Sequence, residues 1–170
     1  MPPLTRHPSS SSSVSGIEAD ASRAGEVLTL RFVLEGAAEV VLAPPSASVR
    51  RDELWRRTCF EAFVSDGKGY VELNFAPSTE WAAYRFDAYR QGMRAAELEP
   101  RVEVARGDGG FELRAAVSGL PEGDWRVGLS AVVEETSGSL SYWALAHPPG
   151  RPDFHHPDCF ALELPASPRP

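Results

Sequence analysis

Lysine is almost missing from this 170-residue chain: Lys68 stands alone, and arginine supplies nearly all of the positive charge. With 24 Asp and Glu against 17 Lys and Arg, the formal net charge is −7. That excludes the clustered cationic surface a nucleic-acid binder needs to neutralise phosphates, and it disfavours an anionic membrane surface for the same reason. No run of ~18 apolar residues occurs, so no helical membrane span is expected. Met1–Gly16 lacks the apolar stretch of a secretory signal, and a cytoplasmic location is therefore expected. The two cysteines, Cys59 and Cys159, are too few for a disulfide framework, and in a reducing compartment two free thiols are expected. Helical periodicity is also scarce. No stretch beyond two turns keeps apolar residues at helical spacing, although Asp52–Arg57 is expected to make a single turn.

What the chain does have is a succession of short β-prone runs about ten residues apart, separated by Gly, Pro, Asp and Ser. They are Val27–Leu34, Val40–Ala43, Cys59–Val64, Tyr70–Phe75, Trp81–Tyr89, Arg101–Val104, Phe111–Val117, Trp125–Val133, Leu140–Ala146 and Phe160–Leu164. Regular spacing of this kind, in a chain that is 42% hydrophobic, predicts one all-β domain, an antiparallel β-sandwich, over residues 25–165. Residues 1–24, with the serine run Ser9–Ser13, hold little apolar material and are expected to be a disordered tail, and residues 166–170 are expected to be a C-terminal tail. Phe111–Val117 and Trp125–Ala131 alternate apolar with polar residues and read as plain scaffold.

The segment Cys59–Phe75 carries more information. If Phe60, Ala62 and Val64 share a core with Val71, Leu73 and Phe75, the connecting loop must be even in length, most simply Asp66-Gly67-Lys68-Gly69. Phe60 then faces Phe75, and Ala62 faces Leu73. The opposite face carries Glu61 across from Asn74, with Glu72 one diagonal step away. Two carboxylates and an amide thus converge on one patch, flanked in sequence by Trp55, Arg57, Trp81, Tyr84 and Arg85. Aromatic rings that cover the apolar face of a sugar, beside groups that hydrogen-bond its hydroxyls, would use such a set. The bland alternative is a solvated sheet face with Trp81 and Phe86 in the core.

Two stretches carry a family resemblance: Leu54-Trp55-Arg56-Arg57-Thr58-Cys59-Phe60-Glu61-Ala62-Phe63, and Tyr70-Val71-Glu72-Leu73-Asn74-Phe75-Ala76-Pro77-Ser78. With the closing Tyr142–Pro148 and Pro152–Phe160, they resemble the DOMON-like superfamily that includes family 9 carbohydrate-binding modules. Small stand-alone bacterial DOMON-like domains are the subgroup they resemble most. The resemblance spans about Val27–Leu164 and implies a jelly-roll-type sandwich that binds a small molecule, a saccharide or similar polar ligand, without catalysis or cofactor. It implies that Trp55 stacks on the sugar, that Glu61 hydrogen-bonds it and that Asn74 is the amide of the next strand. Glu72 departs from the pattern, standing where sugar binders carry a basic residue. No second sandwiching tryptophan is evident near the C-terminus, where Phe154, His155 or Trp143 would have to substitute. Relatives that hold haem use Met and His, but Met93 is the only methionine beyond Met1.

Three rival readings stay open. Glu61 and Glu72 could form a hydrolase pair, since retaining glycosidases hold their carboxyls ~5 Å apart, although a sheet-surface patch is expected neither to raise a carboxyl pKa nor to exclude water. The stretch from His147 to Cys159, with His155 among its donors, could supply a metal site or a nucleophile, but its spacing lacks a tetrahedral signature. The aromatic patch could instead dock a protein partner. The candidate ligand residues are accordingly Trp55, Arg57, Glu61, Glu72, Asn74, Trp81, Tyr84, Arg85, His147 and His155.

Overall fold

The computed structural model describes residues 1–166 as two antiparallel sheets packed face to face. The strands are β1 (Thr5–Arg6), β2 (Gly16–Ala24), β3 (Val27–Glu35), β4 (Cys59–Ser65), β5 (Tyr70–Phe75) and β6 (Trp81–Phe86). They continue with β7 (Arg94–Ala95), β8 (Arg101–Gly107), β9 (Gly110–Val117), β10 (Trp125–Glu134), β11 (Leu140–Ala144) and β12 (Leu162–Leu164). One sheet runs β2-β3-β9-β8. The other runs β1-β11-β10-β4-β5-β6-β7, with β12 also paired to β10. Strand β10 can serve both neighbours on one edge because it is long: Trp125–Val127 pairs with β12 and Ser130–Glu134 with β11.

The sandwich core follows from period-two alternation. Phe32, Leu34, Phe111 and Leu113 face inward from one sheet, and Phe60, Leu73, Phe75 and Leu129 from the other, all with almost no solvent exposure. The Phe60 ring lies 5.4 Å from that of Phe32 and 5.5 Å from that of Phe111, which ties the two layers at the centre. The hairpin register is the expected one: Phe60 pairs with Phe75, Glu61 with Asn74 and Ala62 with Leu73.

The N-terminal segment differs from expectation. Residues 1–24 contain β1 and β2 rather than a disordered tail, and all nine residues of β2 pair with β3. The alternation Ile17-Glu18-Ala19-Asp20-Ala21 buries its odd members, and Leu4 and Val14 join the same core. Alanines are two of the three buried residues on that face, so the segment looks poor in composition while satisfying the strand pattern. Arg23 then lies 3.6 Å over the Trp125 ring, and Ser12 donates to Glu135 at 2.7 Å. Of the C-terminal tail, only Ala166 is described; its N–H donates to Asp124 at 2.7 Å. Val40–Ala43 contributes a single bridge, Val40 with Glu135, rather than a strand.

The second sheet is also covered on its outer side. Phe154, Cys159 and Phe160 pack on Cys59, Phe63, Tyr70 and Phe86 to make a smaller core there. Gly128 makes this close approach possible: a Cβ at that position would sit 2.8 Å from the Phe160 ring and 3.1 Å from the Cys159 carbonyl oxygen. The β10 stretch around it is therefore a seat for the covering segment and not plain scaffold.

Deleting residues 1–24 should strip β2 from the sandwich and expose the β3 edge. The melting temperature is expected to fall by at least ~10 °C, several kcal/mol for a chain of this size. Unchanged melting by calorimetry would mean the segment is a true tail.

Candidate functional site

Between the covering segment and the 3-10 turn Leu54–Arg56, the outer face of β4, β5, β6 and β10 stays open as a cleft of about 700 Å³, within the usual range for small-molecule sites. Its aromatic walls are Trp55, Tyr84, Phe86, Tyr142 and Phe154; Glu61, Glu72 and His155 supply its polar groups, and Arg56 and Arg90 also line it. Alternation explains the sheet residues. Glu61 is flanked by the inward residues Phe60 and Ala62, Glu72 by Val71 and Leu73, and Tyr84 by Ala83 and Arg85, so all three project to the outer side.

Both carboxylates are buried, Glu61 to 3% exposure and Glu72 to 5%. Glu72 Oε1 accepts from Asn74 Nδ2 at 3.1 Å, and Ser130 Oγ lies 3.5 Å from Glu61 Oε2. Asn74 is fully buried beside them, and its Oδ1 has no partner among the described residues. Burial, with the Glu72 charge adding to it, pushes the Glu61 carboxyl well above the usual carboxylate range. Burial also raises Glu72, against the opposing pull of Asn74 and Arg90. The expectation that a sheet-surface patch could not raise a carboxyl pKa is thus overturned, because the covering segment and the 3-10 turn convert that surface into an interior.

Among the described residues, no guanidinium is paired with this floor. Arg56 pairs with Glu53 at 3.0 Å and Arg90 with Asp153 at 2.8 Å. His155 Nε2 is 3.6 Å from Glu72 Oε2, yet burial, followed by the Arg90 charge, lowers the histidine to about 4, so it is neutral near pH 7. The Tyr70 hydroxyl accepts from the Arg90 N–H at 3.1 Å and hydrogen-bonds His155 Nδ1 at 2.8 Å, which orients the ring with Nε2 toward the floor. Tyr84 donates its hydroxyl to Asp52 at 2.6 Å, which fixes that ring in the wall. Burial, reinforced by Asp52, raises the Tyr84 pKa, so the hydroxyl stays protonated.

Trp55 is 48% exposed at the mouth, with the Arg56 guanidinium 5.3 Å from its ring. Glu53 and Arg90, which adjoin the cleft, hold left-handed backbone at φ 61 and 53, two of three such non-glycine residues described. Strain of this kind is retained where its surroundings over-determine it and often marks a binding site.

Of the residues expected from sequence, Trp55, Glu61, Glu72, Tyr84 and His155 meet in this cleft, with Asn74 buried beside the two carboxylates. Four do not join them. Trp81 shares the inward parity of Phe75 and belongs to the sandwich core. Arg85 leaves β6 on that same side and pairs with Asp66 at 3.2 Å. The Arg57 side chain is 73% exposed beside Glu134, and His147 bonds the Thr5 carbonyl at 2.7 Å against His7. Trp143 likewise lies in the core, whereas Phe154 and His155 do line the cleft. Arg90, Met93 and Tyr142 were missed; they come from turns and a neighbouring strand, and only tertiary structure brings them here.

The His147–Cys159 donors do not converge. His156 caps Asp158, Cys159 lies against the Asp153 carbonyl, and no group of three or more His, Cys, Asp or Glu is placed to hold a metal among the described residues. Both thiols are free and buried, and burial pushes the Cys159 thiol up to about 12. A wider depression near Arg50 and Leu98 is less suited to a ligand, because Arg50 is already bonded to the Ala83 and Ala96 carbonyls.

Because the folded chain holds the Glu61 proton more tightly than the unfolded chain does, the burial penalty is absent below the unfolded carboxyl pKa of about 4.3. It grows as pH rises through the higher folded value. Glu61→Gln is therefore expected to melt above the wild type at pH 7–8, the gap closing toward pH 4. A glutamine variant less stable than wild type at pH 8 would show that the ionised carboxylate is held by interactions stronger than its burial cost.

No family model matches the chain, and no curated protein matches it. Among solved structures, the chain is similar to a candidate carbohydrate-binding protein from Bacteroides uniformis (TM-score 0.61, 13% identity, 98% of this chain and 85% of that one). It is also similar to a family 9 carbohydrate-binding module from Caldicellulosiruptor kristjanssonii in complex with glucose (TM-score 0.55, 9% identity, 95% of this chain and 81% of that one). The chain therefore has the fold of a carbohydrate-binding module.

Proposed function

We propose that this protein is a non-catalytic saccharide-binding domain, and that its ligand lies in the cleft between Trp55 and the Glu61–Glu72 floor. The observation that carries this reading is the pairing of a half-exposed tryptophan with two buried carboxylates at the base of one aromatic-walled cleft. A large ring left open to water at the mouth suits stacking on the apolar face of a pyranose. The floor oxygens and His155 Nε2 would then fix its hydroxyls. The shared fold with a family 9 module that holds glucose supports the saccharide class. The DOMON-like resemblance belongs to the same reading.

The raised carboxyl pKa values give a hydrolase reading a specific foothold, since catalytic acids are tuned by burial. The geometry favours binding instead. Glu61 and Glu72 rise from adjacent strands on one sheet face, whereas a glycosidase pair flanks the scissile bond.

Trp55→Ala should weaken binding of mono- or disaccharides at least about tenfold, ~1.4 kcal/mol, in isothermal titration, while the melting temperature moves by no more than ~2 °C. A large fall in melting temperature would make Trp55 structural, and sugar turnover abolished by Glu61→Gln would establish the enzyme.

A further inference from the structure

The floor of the cleft is poor in donors and rich in acceptors. Glu61 offers two oxygens, with the Ser130 hydroxyl 3.5 Å from one of them and the Cys59 thiol beside the carboxyl. Glu72 Oε2 has only the neutral His155 ring at 3.6 Å, and the buried Asn74 Oδ1 beside them is unpartnered. The cations at the mouth are already committed: Arg56 to Glu53 and Arg90 to Asp153. A hydroxyl group can donate one hydrogen to such a floor, and its own lone pairs then face further acceptors. An ammonium brings three donors, no lone pair and the missing positive charge. The walls agree, since Trp55, Tyr84, Phe86 and Tyr142 present π-systems around the space above the carboxylates, and aromatic enclosures favour cations.

We infer that the saccharide this cleft selects is an amino sugar, its ammonium seated between Glu61 and Glu72 and its ring stacked on Trp55. The inference rests on the saccharide-binding reading above and adds the charge of the ligand to it.

Binding is coupled to protons. Burial raises both carboxyls above their usual range; an ammonium seated between them favours their ionised forms, so binding lowers both pKa values and is linked to proton release. The groups facing the pair across the cleft are His155, Tyr84, Tyr70, Arg56 and Arg90, with Cys59 beside Glu61. His155 is neutral above about pH 4, and the tyrosines and arginines do not change charge between pH 5 and 8. The pH dependence therefore belongs to the carboxyl pair and to the ligand amine. Affinity rises with pH as the carboxyls ionise and falls again once the amine loses its proton.

Isothermal titration of the full chain with glucosamine, glucose and N-acetylglucosamine at pH 6.5 tests this, run in two buffers of different ionisation enthalpy. Glucosamine is expected to bind at least about tenfold more tightly than either neutral sugar, with a buffer-dependent heat that reports proton release. Glu61→Gln, which keeps the shape and removes the charge, should reduce that preference to less than about threefold. Equal or tighter binding of glucose would overturn the amino-sugar inference and leave the saccharide site standing. No binding of any of the three, nor of the corresponding disaccharides, would overturn both.

Discussion

The structure is organised around the burial of two carboxylates on the outer face of a sheet. Period-two alternation leaves no freedom in this: once Phe60, Ala62, Leu73 and Phe75 fill the sandwich, Glu61, Glu72 and Asn74 must face the other way. In an ordinary sandwich that side is wet. Here Phe154, Cys159 and Phe160 close over part of it and the Trp55 turn stands at another side, so groups that would be solvated at little cost are held in an interior. Burying charge without a partner is strongly unfavourable, and the chain accommodates it by shifting the carboxyls toward their neutral forms.

Among the described residues no guanidinium is paired with this floor, and the surface ion pairs lie elsewhere. Arg31 and Arg114 hold Glu112 down to about 2 on the outer side of the four-stranded sheet, and none of the three lines the Trp55 cleft. The contrast separates structural charge from site charge in this protein. Paired carboxylates on exposed strands are ordinary surface chemistry, and unpaired ones beneath aromatic walls are poised for something that arrives from outside. The left-handed Arg90, the hydroxyl relay from Tyr70 to His155 and the Tyr84–Asp52 bond all hold the walls in place before any ligand is present, which lowers the ordering entropy that binding must otherwise overcome.

Much of this was legible in the chain. Parity alone fixed the β4–β5 register and the shared face of Glu61, Glu72 and Asn74, because a one-residue slip would have turned the phenylalanines outward. Parity applied to β6 would also have separated Tyr84 from Trp81 and Arg85; grouping them by nearness in sequence put two wrong residues in the patch. Burial of that face was not legible. It depends on Gly128 admitting Phe160 from a segment about thirty residues further along, and a glycine in an alternating strand reads as ordinary until its neighbour across space is known. The strand β2 was hidden by composition: Ala19 and Ala21 mark an inward face as faithfully as larger residues do, but they score poorly as core.

The central claim, that the Trp55 cleft is where this protein meets its ligand, can be read directly from the indole N–H signals of the 15N-labelled protein. The four tryptophans occupy separate environments: Trp55 half-exposed at the cleft mouth, and Trp81, Trp125 and Trp143 buried in the sandwich core. During titration with a panel of neutral and amino monosaccharides, the Trp55 signal should shift saturably while the other three stay in place. A saturable shift of Trp81 without Trp55, or a ligand that binds and moves none of the four, would place the site elsewhere on the molecule.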